Sequence, residues 1–184
     1  CDDCRPLDRS FEECTMRQRL LAASIVLCVV SGCAPHGGDA RPILLSPEAT
    51  EALERICEAK DYEGYLLGIG GRESTYWLSV VTLIETPGAA AAVESRWNRM
   101  TAAGKVYGAA VIQRQSPERA ATYWAKLLKN RRKVDHFSGC IDDRLTISEI
   151  AAGVQRDMTV GTDDDLLKAL ADWHPRLAPL FPVR

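Results

Sequence analysis

From Ser46 onward, apolar residues recur three and four positions apart in blocks separated by proline, glycine or acidic clusters. Ser46-Pro47-Glu48 supplies a capping hydroxyl, a proline where no backbone donor is missed, and an acid in the first turn. The stripe Ala49, Leu53, Ile56, Cys57 behind it predicts a first helix, which the glycines of "YEGYLLGIGG" close. Trp77, Val80, Val81 and Ile84 predict a second helix from Ser74. Thr86-Pro87 repeats the cap-then-proline device ahead of Val93, Trp97 and Met100. A helix from Gly104 to Gln115 carries Val106, Tyr107, Ala110 and Val111. Ser116-Pro117-Glu118 starts the next, with Ala120, Ala121, Trp124, Leu127 and Leu128 inward. Thr146-Ile-Ser-Glu149 is a capping box leading Ile150, Ala151, Val154 and Met158. Asp163 to Asp165 precede Leu166, Leu167, Leu170 and Trp173, and His174-Pro175 ends that helix. Only Val134 to Phe137 reads as extended. The pattern predicts an all-α domain over residues 46–184, a small bundle or short stack of six to seven helices with the four tryptophans in its core.

The chain before Ser46 follows other rules. Met16-Arg17-Gln18-Arg19 is a basic start, and Leu20 to Val30 follows without a charge. Eleven helical residues span about 16 Å, half of the ~30 Å a hydrocarbon core requires, which suits the apolar region of a secretory signal. Small residues and a cysteine follow. Val30-Ser31-Gly32-Cys33 resembles the lipobox of bacterial lipoproteins. The resemblance implies that residues 16–32 are a signal peptide, that Cys33 is acylated and becomes the mature N-terminus, and that the chain is held to a membrane by lipid. Ala34, where aspartate signals retention in the inner membrane, implies an outer-membrane anchor facing the periplasm. Residues 1–15 read as an extension upstream of the mature protein, and residues 33–45, rich in Pro and Gly, as a lipidated tether.

On that reading Cys1, Cys4, Cys14 and Cys28 leave with the signal segment, and of the seven cysteines only Cys57 and Cys140 remain as thiols. In an oxidising compartment they predict one disulfide closing a loop of roughly 83 residues, contributing about 4–5 kcal/mol before strain. A net charge of −2 gives no electrostatic case for nucleic acid. The basic run Lys126 to Lys133 fits a helix C-terminus. Two segments, "TPGAAAAVESRWNRM" and "SPERAATYWAKLLKN", set their prolines 30 residues apart. This resembles a HEAT-type helical repeat over residues 74–130, which implies stacked hairpins with a concave face for a partner.

Candidate chemistry is sparse. Asp135, His136 and Cys140 stand close in "VDHFSGC" and make the alternative of a periplasmic hydrolase or thiol enzyme. Gly68 to Arg72, before a helix, are a candidate anion cradle or a plain turn. Asp142, Asp143 and Asp163 to Asp165 lack the alternation and central glycine of a calcium loop and read as acids at helix starts. No metal or cofactor is expected. "LLKALADWHPRL" is similar to the last helix of some small immunity proteins. The leading expectation is a lipid-anchored envelope protein whose domain binds another protein without catalysis, with an immunity-type role as its specific form.

Overall fold

The computed structural model describes residues 44–160 and 165–181, leaving aside the side chains of residues 160, 165 and 166. The lipobox with Cys33, the signal segment, the upstream extension and most of the tether lie outside them, as do Asp163 and Asp164. The architecture is mixed α/β, which corrects the all-α expectation. The order is α1 (Pro47–Cys57), β1 (Tyr62–Leu67), β2 (Arg72–Glu73), α2 (Thr75–Glu85), α3 (Ala89–Arg96), α4 (Ala102–Gln115), α5 (Pro117–Leu127), β3 (Lys133–Gly139), β4 (Ile141–Thr146), α6 (Ile147–Val160) and α7 (Asp165–Trp173). Short 3₁₀ turns follow α3, over Trp97–Arg99, and α7, over Pro175–Leu180.

Helix α4 is the axis of the domain, and α1, α2, α3, α5 and α6 all pack on it. Nine of its residues, among them Val106, Tyr107, Gly108, Val111 and Ile112, are buried. A helix apolar on every side belongs inside a core. The outer helices bury one face each: Ala49, Ala52, Leu53 and Ile56 from α1, and Ala120, Trp124 and Leu127 from α5. Ala121 and Leu128, expected inward, are exposed. The Ser46 hydroxyl accepts the Ala49 N–H at 3.1 Å, as its position before Pro47 predicts. The Thr86-Pro87 device is not used. Thr86 donates its hydroxyl back to Thr82 O at 2.7 Å, and α3 starts instead from Gly88 at φ 79°, a left-handed conformation that glycine adopts without strain.

That junction is held from α4. Gln115 Nε2 faces three carbonyls, Leu83 O (2.9 Å), Ile84 O (2.9 Å) and Thr86 O (2.7 Å), while its Oε1 accepts the Ala90 N–H at 2.9 Å. Gln115→Glu keeps the shape and replaces the donor by a charged acceptor. We expect it to cost roughly 2–3 kcal/mol in chemical denaturation, more than Gln115→Ala, because three carbonyls then face an anion.

Four strands form one sheet in the order β2-β1-β3-β4. The inner strands β1 and β3 run parallel, and each carries an antiparallel partner outside it. Two hairpins thus lie side by side, with α2 to α5 inserted between them in the chain. "YEGYLLGIGG" is the first hairpin rather than a helix end, and the extended piece at Val134 to Phe137 is the centre of β3. Asp142 and Asp143 belong to edge strand β4, not to a helix start. The capping box is realised: Thr146 N–H donates to Glu149 Oε2 at 2.8 Å and Glu149 N–H to Thr146 Oγ1 at 3.3 Å. Hydrogen bonds from the Thr146 hydroxyl and backbone hold the Glu149 carboxyl below the usual range. Thr146→Ala is expected to cost about 1 kcal/mol. The part that comes from the Glu149 charge is present in full above the pKa of an unfolded glutamate. It is lost as pH falls through the lowered native value, so the difference between wild type and variant narrows in acid.

Candidate functional site

Strand alternation decides what the second hairpin presents. Residues two apart share a face, so Val134, His136 and Ser138 point towards α6 while Asp135 and Phe137 point away. Between this inner face and α6–α7 lies a cavity of about 410 Å³ whose walls include Tyr62, Tyr65, His136, Ser138, Leu145, Glu149, Arg156 and Asp157. That volume lies in the range of small-ligand sites. His136 Nδ1 lies 2.6 Å from Asp143 Oδ1, across the hairpin in register. An ionised carboxylate only accepts, so the hydrogen in this bond is carried by Nδ1.

Behind the imidazole stands a column of rings. His136 stacks on Tyr62 (5.6 Å between centroids, 15°), Tyr62 on Tyr107 (5.4 Å, 14°) and Tyr107 on Tyr76 (5.3 Å, 26°), while Trp77 meets Tyr107 edge-on at 5.2 Å. Burial pushes the phenols of Tyr62, Tyr65 and Tyr107 up, out of reach of neutral pH. They are therefore walls and neutral hydrogen-bond donors rather than acid–base groups. Tyr65 Oη donates to Asp157 Oδ2 at 3.4 Å, and Arg156 pairs with Asp157 at 3.2 Å.

The trio Asp135, His136 and Cys140 is not brought together. Asp135 faces outward and pairs with Arg144 at 3.0 Å. Cys140 sits exposed in the β3–β4 turn, beside a depression on the outer face with Phe137 and Asp142. The acid that His136 uses is Asp143. The signal for it is Gly139, at φ 56° in a turn that sets residues 136 and 143 opposite one another. Ser138 shares the inner face but makes no hydrogen bond to His136, and its hydroxyl sits where a Cβ on Gly64 would come within 2.5 Å. Among the described residues Asp143 is the one hydrogen-bond partner of His136.

The expected Cys57–Cys140 disulfide is also corrected, as both thiols are free. Cys57 ends α1 near the start of β1, whereas Cys140 adjoins the far end of that strand, roughly 16 Å on for five residues of strand rise. Burial pushes the Cys57 thiol up, against the pull of Arg96 beside it. The Gly68 to Arg72 cradle is a hairpin turn, and the α2 N-terminus beyond it faces a carboxylate of the chain itself: the Ser74 hydroxyl donates to Glu63 Oε2 at 2.7 Å. Trp173, expected in the core, is 80% exposed. Among the described residues no three His, Cys, Asp or Glu side chains converge as a metal set, and no helix is long and apolar enough to cross a membrane.

No protein-family model matches the chain, and neither the curated proteins nor the solved structures contain a match.

Proposed function

We propose that this chain is a lipid-anchored envelope protein whose α/β domain is a non-enzymatic protein-binding module, held by Cys33 to the outer membrane and facing the periplasm. The observation that carries the reading is the run from Met16 to Cys33, with its basic start, short apolar stretch and lipobox, followed by Ala34. On the domain itself, the ionisable groups around the cavity are engaged with one another, His136 with Asp143 and Asp157 with Tyr65 and Arg156. Among the described residues the hydrogen-bond partner of the imidazole is the Asp143 carboxylate rather than a nucleophile, an arrangement that favours recognition over covalent catalysis. An immunity-type guard, which neutralises a toxic protein by capture, is the specific form of this proposal.

Intact-mass analysis of the protein from a fractionated Gram-negative envelope tests it. We expect an acylated chain starting at Cys33 in the outer-membrane fraction. An unacylated chain that retains residues 16–32 would rule the anchor out. A second reading, acid–base catalysis by His136 with Asp143, is favoured by the 2.6 Å bond that fixes the imidazole at the cavity wall. Its test is turnover of small ester or glycoside substrates lost alike in His136→Gln and Asp143→Asn; turnover unchanged in both variants removes it.

A further inference from the structure

We propose that the paired hairpin tips of the sheet dip into the acyl-chain surface of the bilayer to which the tether holds the domain, an inference that rests on the lipid-anchor reading above. Because β1 and β3 run parallel, the turns that follow them emerge at the same end of the sheet. The two turns touch: Gly68 N–H donates to Gly139 O at 2.7 Å. At this end stand Gly68-Ile69-Gly70-Gly71 of the first turn and Gly139-Cys140-Ile141, where β3 ends and β4 begins. Turns of this kind ordinarily carry Asn, Asp, Ser or Pro. Here there is no charge and no polar side chain other than a thiol. Ile69 is 96% exposed and Ile141 59%. Along the chain the nearest charged residues, Arg72 and Asp142, stand one residue behind the tips. On the flank Trp173 is 80% exposed, and the imidazole of the next residue, His174, lies 4.0 Å from the Cβ position of Gly71. Tryptophan is a side chain of membrane interfaces.

The occupant follows from chemistry and chain length. The tips are four glycines, two isoleucines and a cysteine, beside a depression on the outer face that Glu63 and Asp142 also line. An acyl-chain surface takes apolar side chains without hydrogen bonds to them, while the turn backbone stays in the polar interface. Two isoleucines would hold a free domain weakly, but a tether converts their insertion into an intramolecular step. The chain from Cys33 to Leu44 reaches at most about 40 Å when extended, comparable with the width of a domain whose radius of gyration is about 14 Å. The tether can therefore bring this end of the sheet to the membrane. Insertion would fix the orientation of the domain and turn the opposite end towards the periplasm.

The test uses the full processed chain with Cys57→Ser and an environment-sensitive fluorophore on Cys140, reconstituted into vesicles of phosphatidylethanolamine and phosphatidylglycerol carrying acyl-chain spin labels. We expect blue-shifted, quenched emission, and a return to water-like, unquenched emission in the Ile69→Ser/Ile141→Ser variant while that protein still floats with the vesicles. Both isoleucines are exposed, so the variant is not expected to unfold. Flotation reads the anchor and the fluorophore reads the tips, so the two ideas fail separately. Floated protein with a water-like, unquenched probe overturns the tip contact and leaves the anchor standing, with the tips then open to a protein partner. Protein that does not float overturns the anchor, and the tip contact built on it falls as well.

Discussion

Gly104→Ala is expected to destabilise the domain by roughly 3 kcal/mol or more, at the upper end of what overpacking costs. A Cβ at this position would stand 2.3 Å from Ile56 O and 3.2 Å from Cys57 O. Both are backbone carbonyls at the C-terminal end of α1, and no rotamer change moves them. The two helices are also tied there, because Thr101 N–H donates to Cys57 O at 3.0 Å and Thr101 Oγ1 donates to Ala59 O. Separating α4 from α1 would break those bonds and open the core along the whole of α4. The sign is what makes the experiment decisive. In an open helical position glycine to alanine stabilises by about 0.5–1 kcal/mol, and Gly153→Ala on α6, with nothing within 4 Å of its Cβ position, should behave so. If Gly104→Ala also raises the urea midpoint, α1 can retreat and the close contact is not a constraint.

The helices of this protein are legible in its sequence and the sheet is not, for a physical reason. The helical stripes carry redundant signals: spacing, a capping hydroxyl and an N-terminal proline or acid, as at Ser46-Pro47-Glu48 and Thr146 to Glu149. The strands carry almost none. β1 has Gly64 in its middle and a break in register between Glu63 and Leu67, so its burial does not alternate cleanly. β4 is an exposed edge with Asp142, Asp143 and Arg144 in succession. Charges of this kind keep an edge from pairing with other chains, and in one dimension they resemble acids at a helix start. The parallel β1–β3 pairing spans some seventy residues of chain, most of them helical, a distance no local pattern reports.

The site shows the same division. His136 is conspicuous in the sequence, as one of three histidines, but its partners are chosen by the fold. Strand alternation sends Asp135 to the opposite face, the hairpin register delivers Asp143, and β1 brings Tyr62 under the ring. Adjacency in the chain therefore misleads within a strand, whereas residues equidistant from the centre of the Gly139-Cys140 turn meet. Trp173 illustrates the limit of a periodic pattern. It falls on the apolar stripe of α7, yet the helix ends at that residue, and the chain turns so that Leu177, Leu180 and Phe181 take the buried places.

Trp77→Ala is expected to cost roughly 3–5 kcal/mol, as for other buried aromatic truncations. Trp77 is fully buried against Tyr62, Tyr65 and Tyr107. It also donates its indole N–H to Glu63 O at 2.9 Å. Tyr107 Oη donates to the same carbonyl at 3.1 Å and accepts the Glu63 N–H at 2.8 Å. The two side chains thus satisfy both backbone groups of Glu63, and so lock β1, a wall of the cavity, onto α2 and α4. Trp77→Phe keeps most of the ring and leaves the carbonyl with the Tyr107 proton, so about 1–2 kcal/mol is expected. Tyr107→Phe strands a buried N–H and should cost about 2 kcal/mol. Removed together, they leave Glu63 with no partner for either group. The double variant should then exceed the sum of the single ones by about 1 kcal/mol in denaturant titrations. Additivity within about 0.5 kcal/mol would mean that the two bonds act independently and that β1 is held by its neighbours in the sheet instead.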